Sequence, residues 1–246
     1  MEKDKETEKR RSDERARKNF FTWENEKIEE WNLPPISKYY ELIRKNISEN
    51  HKILEIGSGT GNHTRVLLDT LAEVNVIDIS GKSLEVLEKR FNNFKNLHTA
   101  IMDIEKLEFK ENSFDFVVSA GSLSYGDNST VMREIYRVLK PGGAYICMDS
   151  LNHNIVYRIN RRIHVWRGER TNLTIRNMPT VGLIERYRKL FGHIEIAYFV
   201  AFIWLDPIVK RLINEKFAAK VINILDRLVN PRKLAFKFVM IARKVI

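Results

Sequence analysis

The chain has 246 residues, 43% of them apolar and 10% aromatic, which suits one well-packed domain and argues against global disorder. No stretch reaches the ~18 uncharged apolar residues of a spanning helix, and the start is charged rather than apolar. Cys147 is the one cysteine, so an internal disulfide is excluded; these features predict a cytoplasmic protein, at most peripheral at the inner face of a membrane. The formal charge of +10 is unevenly placed: from Leu151 onward nineteen Lys and Arg face six Asp and Glu, a net of +13, which leaves −3 for residues 1–150. A field of that sign favours an anionic partner in the C-terminal part.

Residues 1–19 alternate in charge and read as a solvated extension with some helical character. Residues 20–47 bring aromatics around Pro34-Pro35 and suggest two short helices, the second near Ile36–Ile47. An alternation then begins. Strands are predicted at Lys52–Ile56, Glu73–Ile79, Leu97–Met102, Phe114–Ala120 and Ala144–Asp149. Helices are predicted at Thr64–Leu71, Ser83–Phe91 and Thr130–Leu139, the last stopped by a turn at Pro141-Gly142-Gly143. Such alternation implies right-handed crossovers and a parallel, doubly wound α/β sheet. Leu151–Met178 follows no clear period. A helix at Thr180–Leu190 and strands at Gly192–Phe202 and Ala235–Arg243 close the chain, with a helical-period apolar and basic segment at Trp204–Leu228 between them.

The segment Ile53-Leu-Glu-Ile-Gly-Ser-Gly-Thr-Gly61 ends a buried strand and opens a helix. Glycines at 57, 59 and 61 permit a tight turn and close approach of a ligand to backbone. The third glycine stands four residues after the first, not the five of the dinucleotide pattern. Glu55 can meet an ammonium or a bridging water, and Asp78, ending the next strand, is placed to accept from both ribose hydroxyls. Asp103 follows the third strand, where a carboxylate can accept from an adenine amine between apolar neighbours.

Taken with Asn112-Ser-Phe-Asp-Phe-Val-Val118 and Arg137-Val-Leu-Lys-Pro-Gly-Gly143, these motifs make residues 50–150 resemble the class I S-adenosylmethionine-dependent methyltransferases, in the branch of ubiquinone/menaquinone-type and small-molecule enzymes. The resemblance implies a Rossmann-like seven-stranded sheet with its last strand antiparallel. It also implies S-adenosylmethionine as cofactor, S-adenosylhomocysteine as product, and a single domain over 20–246, with a cofactor-binding half at 50–150 and an acceptor-binding part at 151–233. Glu55, Gly57, Ser58, Gly59, Gly61, His63, Asp78, Ile79, Asp103, Ile104, Ser119 and Ala120 would then contact the cofactor.

Methyl transfer to oxygen needs a base near the methyl group. His153 is the first candidate, since its ordinary pKa suits neutral pH; Asp149 and Tyr125 are the others. No cluster has the spacing of metal ligands. Arg158, Arg161 and Arg162 with Trp166 combine guanidinium forks with an aromatic face and suggest a phosphate-bearing acceptor such as a nucleotide- or lipid-linked sugar. For 204–228 the choices are core or homodimer packing and contact with an anionic membrane surface. RNA methylation and a non-catalytic cofactor-binding regulator are the alternative functions; an Asn/Asp-Pro-Pro-aromatic motif is lacking, Ser119-Ala-Gly-Ser-Leu-Ser124 standing there instead.

Overall fold

The structure, a computed structural model, describes residues 2–19, 30–167, 171–202, 224–225, 232 and 234–245. Seven strands form one sheet: β1 (Lys52–Ile56), β2 (Glu73–Asp78), β3 (Leu97–Ile101), β4 (Phe114–Ala120), β5 (Leu139–Ser150), β6 (His193–Phe199) and β7 (Lys237–Arg243). Their order is β3-β2-β1-β4-β5-β7-β6, and β7 runs antiparallel to both of its neighbours while the pairs from β3 to β5 are parallel. This is the doubly wound arrangement that the strand–helix alternation implies.

Two apolar faces hold the sheet. On one, Leu54, Ile56, Val117 and Met240 pack against α5 (Asn128–Val138) and α8 (Val181–Phe191) through Ile135, Val138, Ile184 and Phe191. On the other, Ile53, Val74, Ile146 and Ile241 meet α2 (Leu33–Asn46), α3 (Thr64–Leu68) and α4 (Gly81–Arg90) through Ile43, Leu67 and Leu87. Burial of both sheet faces explains why the strands read as near-continuous apolar runs. Helix starts are fixed by side-chain caps: Ser80 accepts from the Ser83 amide, Asp127 from Thr130 and Thr180 from Leu183.

Two expectations change. Pro34-Pro35 does not break a helix but occupies the first turn of α2, where a missing amide costs no hydrogen bond. Pro141-Gly142-Gly143 lies within β5 and not in a separate turn. The β4 register passes from Phe114↔Leu139 to Phe116↔Ala144, so the extra residues bulge out of the ladder. Gly142 adopts φ 77°, and a Cβ on Gly143 would come within 2.9 Å of the Asp115 carbonyl. The unassigned segment after residue 150 holds α6 (Ile155–Trp166) and α7 (Asn172–Arg176).

Residues 2–19 form an 18-residue helix, α1. It packs on α4 and reaches across the carboxyl ends of β2 and β3: Ser12 Oγ lies 3.1 Å from Ser83 Oγ, Asp13 accepts from the Ser80 hydroxyl, and Ala16 is buried. The segment 204–228, apart from 224–225, lies outside the described residues.

Candidate active site

The strand order reverses between β1 and β4, and open α/β sheets bind ligands in the crevice outside the strand ends at such a point. A crevice of about 370 Å³ lies there, walled by the loop after β1, by Asp78 and Ile79, by Met102–Ile104, by Ala120, Ser122 and Tyr125, and by α1.

The loop is held by its glycines. Gly57 and Gly59 have φ of 66° and 55°, a region that costs side-chain-bearing residues about 1–2 kcal/mol. A Cβ on Gly57 would stand 2.5 Å from Ser122 Cβ, whereas one on Gly59 would meet nothing within 4 Å. Gly57 therefore permits the β1 and β4 loops to touch, and Gly59 keeps its side of the turn open. The Asp78 carboxylate ties loop to sheet: Oδ2 accepts from the Gly59 amide and Oδ1 from the Ser80 amide, each at 2.8 Å. Burial raises its pKa, against the lowering effect of those two amides. Each oxygen keeps a lone pair for a further donor.

Glu55 lies beneath the loop, 2% exposed, and accepts from the Thr64 hydroxyl at 2.6 Å. Burial pushes its pKa up to about 7. It does not line the crevice directly. His63 does, and its Nδ1 is 3.0 Å from the Tyr40 hydroxyl. Desolvation, then the charges of Lys237 and Arg90, push the imidazole down to about 4, so it is neutral at physiological pH. Asp103 lies on the opposite wall. Its Oδ1 accepts from the Glu105 amide and its Oδ2 from Lys5 of α1 at 2.7 Å, and the same ammonium reaches Glu105 Oε2. Ile79 and Ile104 flank it with apolar surface.

Of the residues expected at the cofactor, Gly57, Ser58, Gly59, His63, Asp78, Ile79, Asp103, Ile104 and Ala120 line the crevice. Ser119 does not: its hydroxyl is 2.6 Å from Tyr145 Oη on the far face of the sheet, because alternate residues of β4 point to opposite sides. Gly61 stands behind the loop, where a Cβ would press on Phe91 at 2.7 Å. Tyr125 reaches the crevice. Asp149 is buried, with one oxygen accepting from the Leu123 amide and the other from the Ser150 amide, so it anchors the turn that carries Tyr125; burial raises its pKa to about 6.

Several expected acceptor residues stand elsewhere. His153 is exposed and is not among the crevice-lining residues. Arg158 and Arg162 are exposed on α6, and Trp166 is 87% exposed. Arg161 is buried and donates to the Leu151 carbonyl and Asn152 Oδ1 while covering the Phe236 ring, a structural use. Conversely, Tyr40, Ser122, Tyr125 and the α1 residues Lys5, Glu8, Ser12 and Arg15 frame the site, and no motif in the sequence marks α1 as part of it.

The residues fit S-adenosylmethionine. Gly59 leaves open space, the buried Ser122 hydroxyl lacks a hydrogen-bond partner among the described residues, and Asp78 retains accepting capacity. Asp78 would hold the ribose, Asp103 the adenine amine, and the glycine turn the methionine end. No group of three or more His, Cys, Asp or Glu side chains able to hold a metal occurs among the described residues.

Residues 54–147 match the family model described as a methyltransferase domain. Over those residues the chain is similar to a methyltransferase domain, and its strand order and crevice agree with that likeness. The demethylmenaquinone methyltransferase of Geobacillus sp. strain WCH70 is 31% identical over 124 residues, covering 47% of this chain and 52% of that relative. The chain thus spans about half the length of the curated relative it matches. Among solved structures, a candidate sarcosine dimethylglycine methyltransferase from Galdieria sulphuraria superimposes with a TM-score of 0.64 at 17% identity, covering 94% of this chain and 98% of that one. Phosphoethanolamine N-methyltransferase 2 of Haemonchus contortus, solved with S-adenosyl-L-methionine, gives 0.59 at 20% identity, covering 85% and 53%. At those identities the structural likeness concerns the fold.

Proposed function

We propose that the chain transfers the methyl group of S-adenosylmethionine to a small-molecule acceptor. The observation that carries this reading is the crevice, in which a left-handed glycine turn, Asp78 and Asp103 converge at the strand-order reversal. The cofactor supplies an activated methyl group; the protein's task is to align the acceptor and exclude water. His63, neutral and hydrogen-bonded to Tyr40, lines the crevice together with the polar side chains of Ser122 and Tyr125 from the loop after β4. An imidazole held near pKa 4 is a weak base, so the arrangement favours an acceptor that arrives already nucleophilic.

O-methylation of a phosphate-bearing sugar, the finer expectation, keeps as support only the C-terminal charge, since Arg161 is committed and Arg158 and Arg162 face solvent. The alignment with a demethylmenaquinone methyltransferase favours a second reading, a quinol-type acceptor. Incubating the full chain with methyl-labelled S-adenosylmethionine and matched panels of quinols, nucleotide sugars and short RNAs, with S-adenosylhomocysteine read by mass spectrometry, decides among them. Product with one of the first two panels and none with RNA is expected, and which panel gives it names the acceptor class; turnover with RNA alone would overturn the small-molecule reading.

A further inference from the structure

Lys237 opens β7, opposite Ser150 at the end of β5 and Phe199 at the end of β6. Because β7 is antiparallel, its first residue stands at the carboxyl ends of the parallel strands, the same edge as the crevice. Val239 and Ile241 pack with α2 and α3, so by alternation Lys237 projects to that face too, the side on which His63 stands. In the ladder Ala120 pairs with Met148 and Met148 with Val239. Lys237 is thus two strand spacings across and two residues further along the strands from Ala120, about 12 Å from that wall of the crevice.

The ammonium is partly buried and has no hydrogen-bond acceptor or ion-pair partner among the described residues. The Trp31 ring lies 6.0 Å from the nitrogen and is itself edge-on to Phe236. Of the neighbouring charges, Asp149 accepts from two backbone amides and acts on Lys237 as a charge without a direct ion pair, and Arg161 donates to Leu151 and Asn152. His63, on the crevice wall, feels the Lys237 charge, and desolvation lowers the pKa of Lys237 itself, against the pull of Asp149. A half-buried ammonium without a direct acceptor has donors left for an anionic ligand.

We infer that Lys237, beside the Trp31 ring, is the anchor for an anionic oxygen of the methyl acceptor: a carboxylate, phenolate or phosphate on a compact, ring-sized molecule. This rests on the proposed methyl transfer and narrows its acceptor class. A charge-assisted bond from Lys237 would fix one end of the acceptor while the other lies toward the crevice. The anionic partner suggested by the C-terminal charge is then met by a single half-buried lysine, not by the arginines of α6.

The test uses the full chain with and without S-adenosylhomocysteine, titrated with benzoate, phenyl phosphate and benzyl alcohol. At least one anion is expected to bind about tenfold or more tightly than the neutral alcohol, a difference of about 1.4 kcal/mol; which anion leads tells carboxylate from phosphate. Lys237→Met is expected to erase that preference, Lys237→Arg to keep most of it, and both to leave S-adenosylhomocysteine affinity within about twofold. Lys237→Met should change the melting temperature little, because the half-buried ammonium makes no direct hydrogen bond or ion pair among the described residues. No preference for anions in the natural chain, or a preference that survives Lys237→Met, overturns the inference. Loss of melting temperature in Lys237→Met with no change in anion preference would assign the lysine to balancing Asp149. If S-adenosylhomocysteine does not bind at all, the methyltransferase reading fails separately, and titrations of the cofactor-free chain still decide whether Lys237 holds anions.

Discussion

Gly57 and Gly59 share a left-handed backbone, yet their surroundings differ, and that difference is measurable. Alanine at Gly57 adds a Cβ 2.5 Å from Ser122, so Gly57→Ala should cost about 2–4 kcal/mol of stability and disrupt cofactor binding together. Alanine at Gly59 meets open space, so Gly59→Ala should cost only about 1–2 kcal/mol while its methyl intrudes on the crevice. Urea unfolding paired with calorimetric titration separates the two cases. Equal stability losses would contradict the packing argument. Glu55 offers a pH test. Its folded pKa of about 7 lies above the ordinary 4.5, so between those values the unfolded chain gives up the proton first and stability falls as pH rises. The loss is absent below pH ~4.5, complete above ~7, and amounts to roughly 3 kcal/mol. Glu55→Gln keeps an acceptor for the Thr64 hydroxyl without the charge. It should match the natural chain at pH 4 and exceed its stability at pH 8, checked by urea unfolding at both. A lower stability for the variant at pH 8 would show that the carboxylate is held ionised at no cost.

At the scale of elements, α1 is the piece whose role the sequence conceals. Its alternating charges read as a solvated face, because nothing in a one-dimensional pattern marks which of them have partners. In the fold, Lys5 bridges Asp103 and Glu105, Asp13 meets Ser80 and Glu8 accepts from Thr174, while Ala16 is its one buried apolar residue. The Lys5 bridge engages the carboxylate that is placed to accept from the adenine amine. Lys5→Met should therefore speed cofactor association severalfold, with little change in melting temperature, as stopped-flow fluorescence can show; slower association would mean that Lys5 helps to receive the cofactor. The strands were far easier to read. Lys52–Ile56 and Phe114–Ala120 are predicted to the residue, since burial on both faces leaves an unambiguous apolar run. β5 was harder, because Pro141-Gly142-Gly143 carries turn chemistry that a bulge inside a strand uses equally well.

For the whole molecule, the sheet and the cofactor crevice are legible because each depends on short-range signals: a strand, a glycine turn, then an acidic residue at a strand end. The acceptor side depends on residues far apart in the chain. Lys237 stands at the crevice edge of the sheet only because antiparallel β7 brings residue 237 opposite Ser150, and Arg161 is structural only because the Leu151 carbonyl lies within its reach. Ser119 and Ala120, adjacent in sequence, divide between core and crevice by the two-residue period of the strand. No helix among the described residues is long and apolar enough to cross a membrane. Methyl transfer requires this crevice to bind S-adenosylmethionine, with Asp78 holding the ribose. Calorimetric titration of S-adenosylmethionine into the full chain and into Asp78→Ala tests it most directly. The natural chain should bind one equivalent in the micromolar range. Asp78→Ala should remain folded by circular dichroism yet bind about 100-fold more weakly, as expected for the loss of two hydrogen bonds to a charged group. Absence of binding to the folded natural chain, or equal binding by Asp78→Ala, would contradict the account.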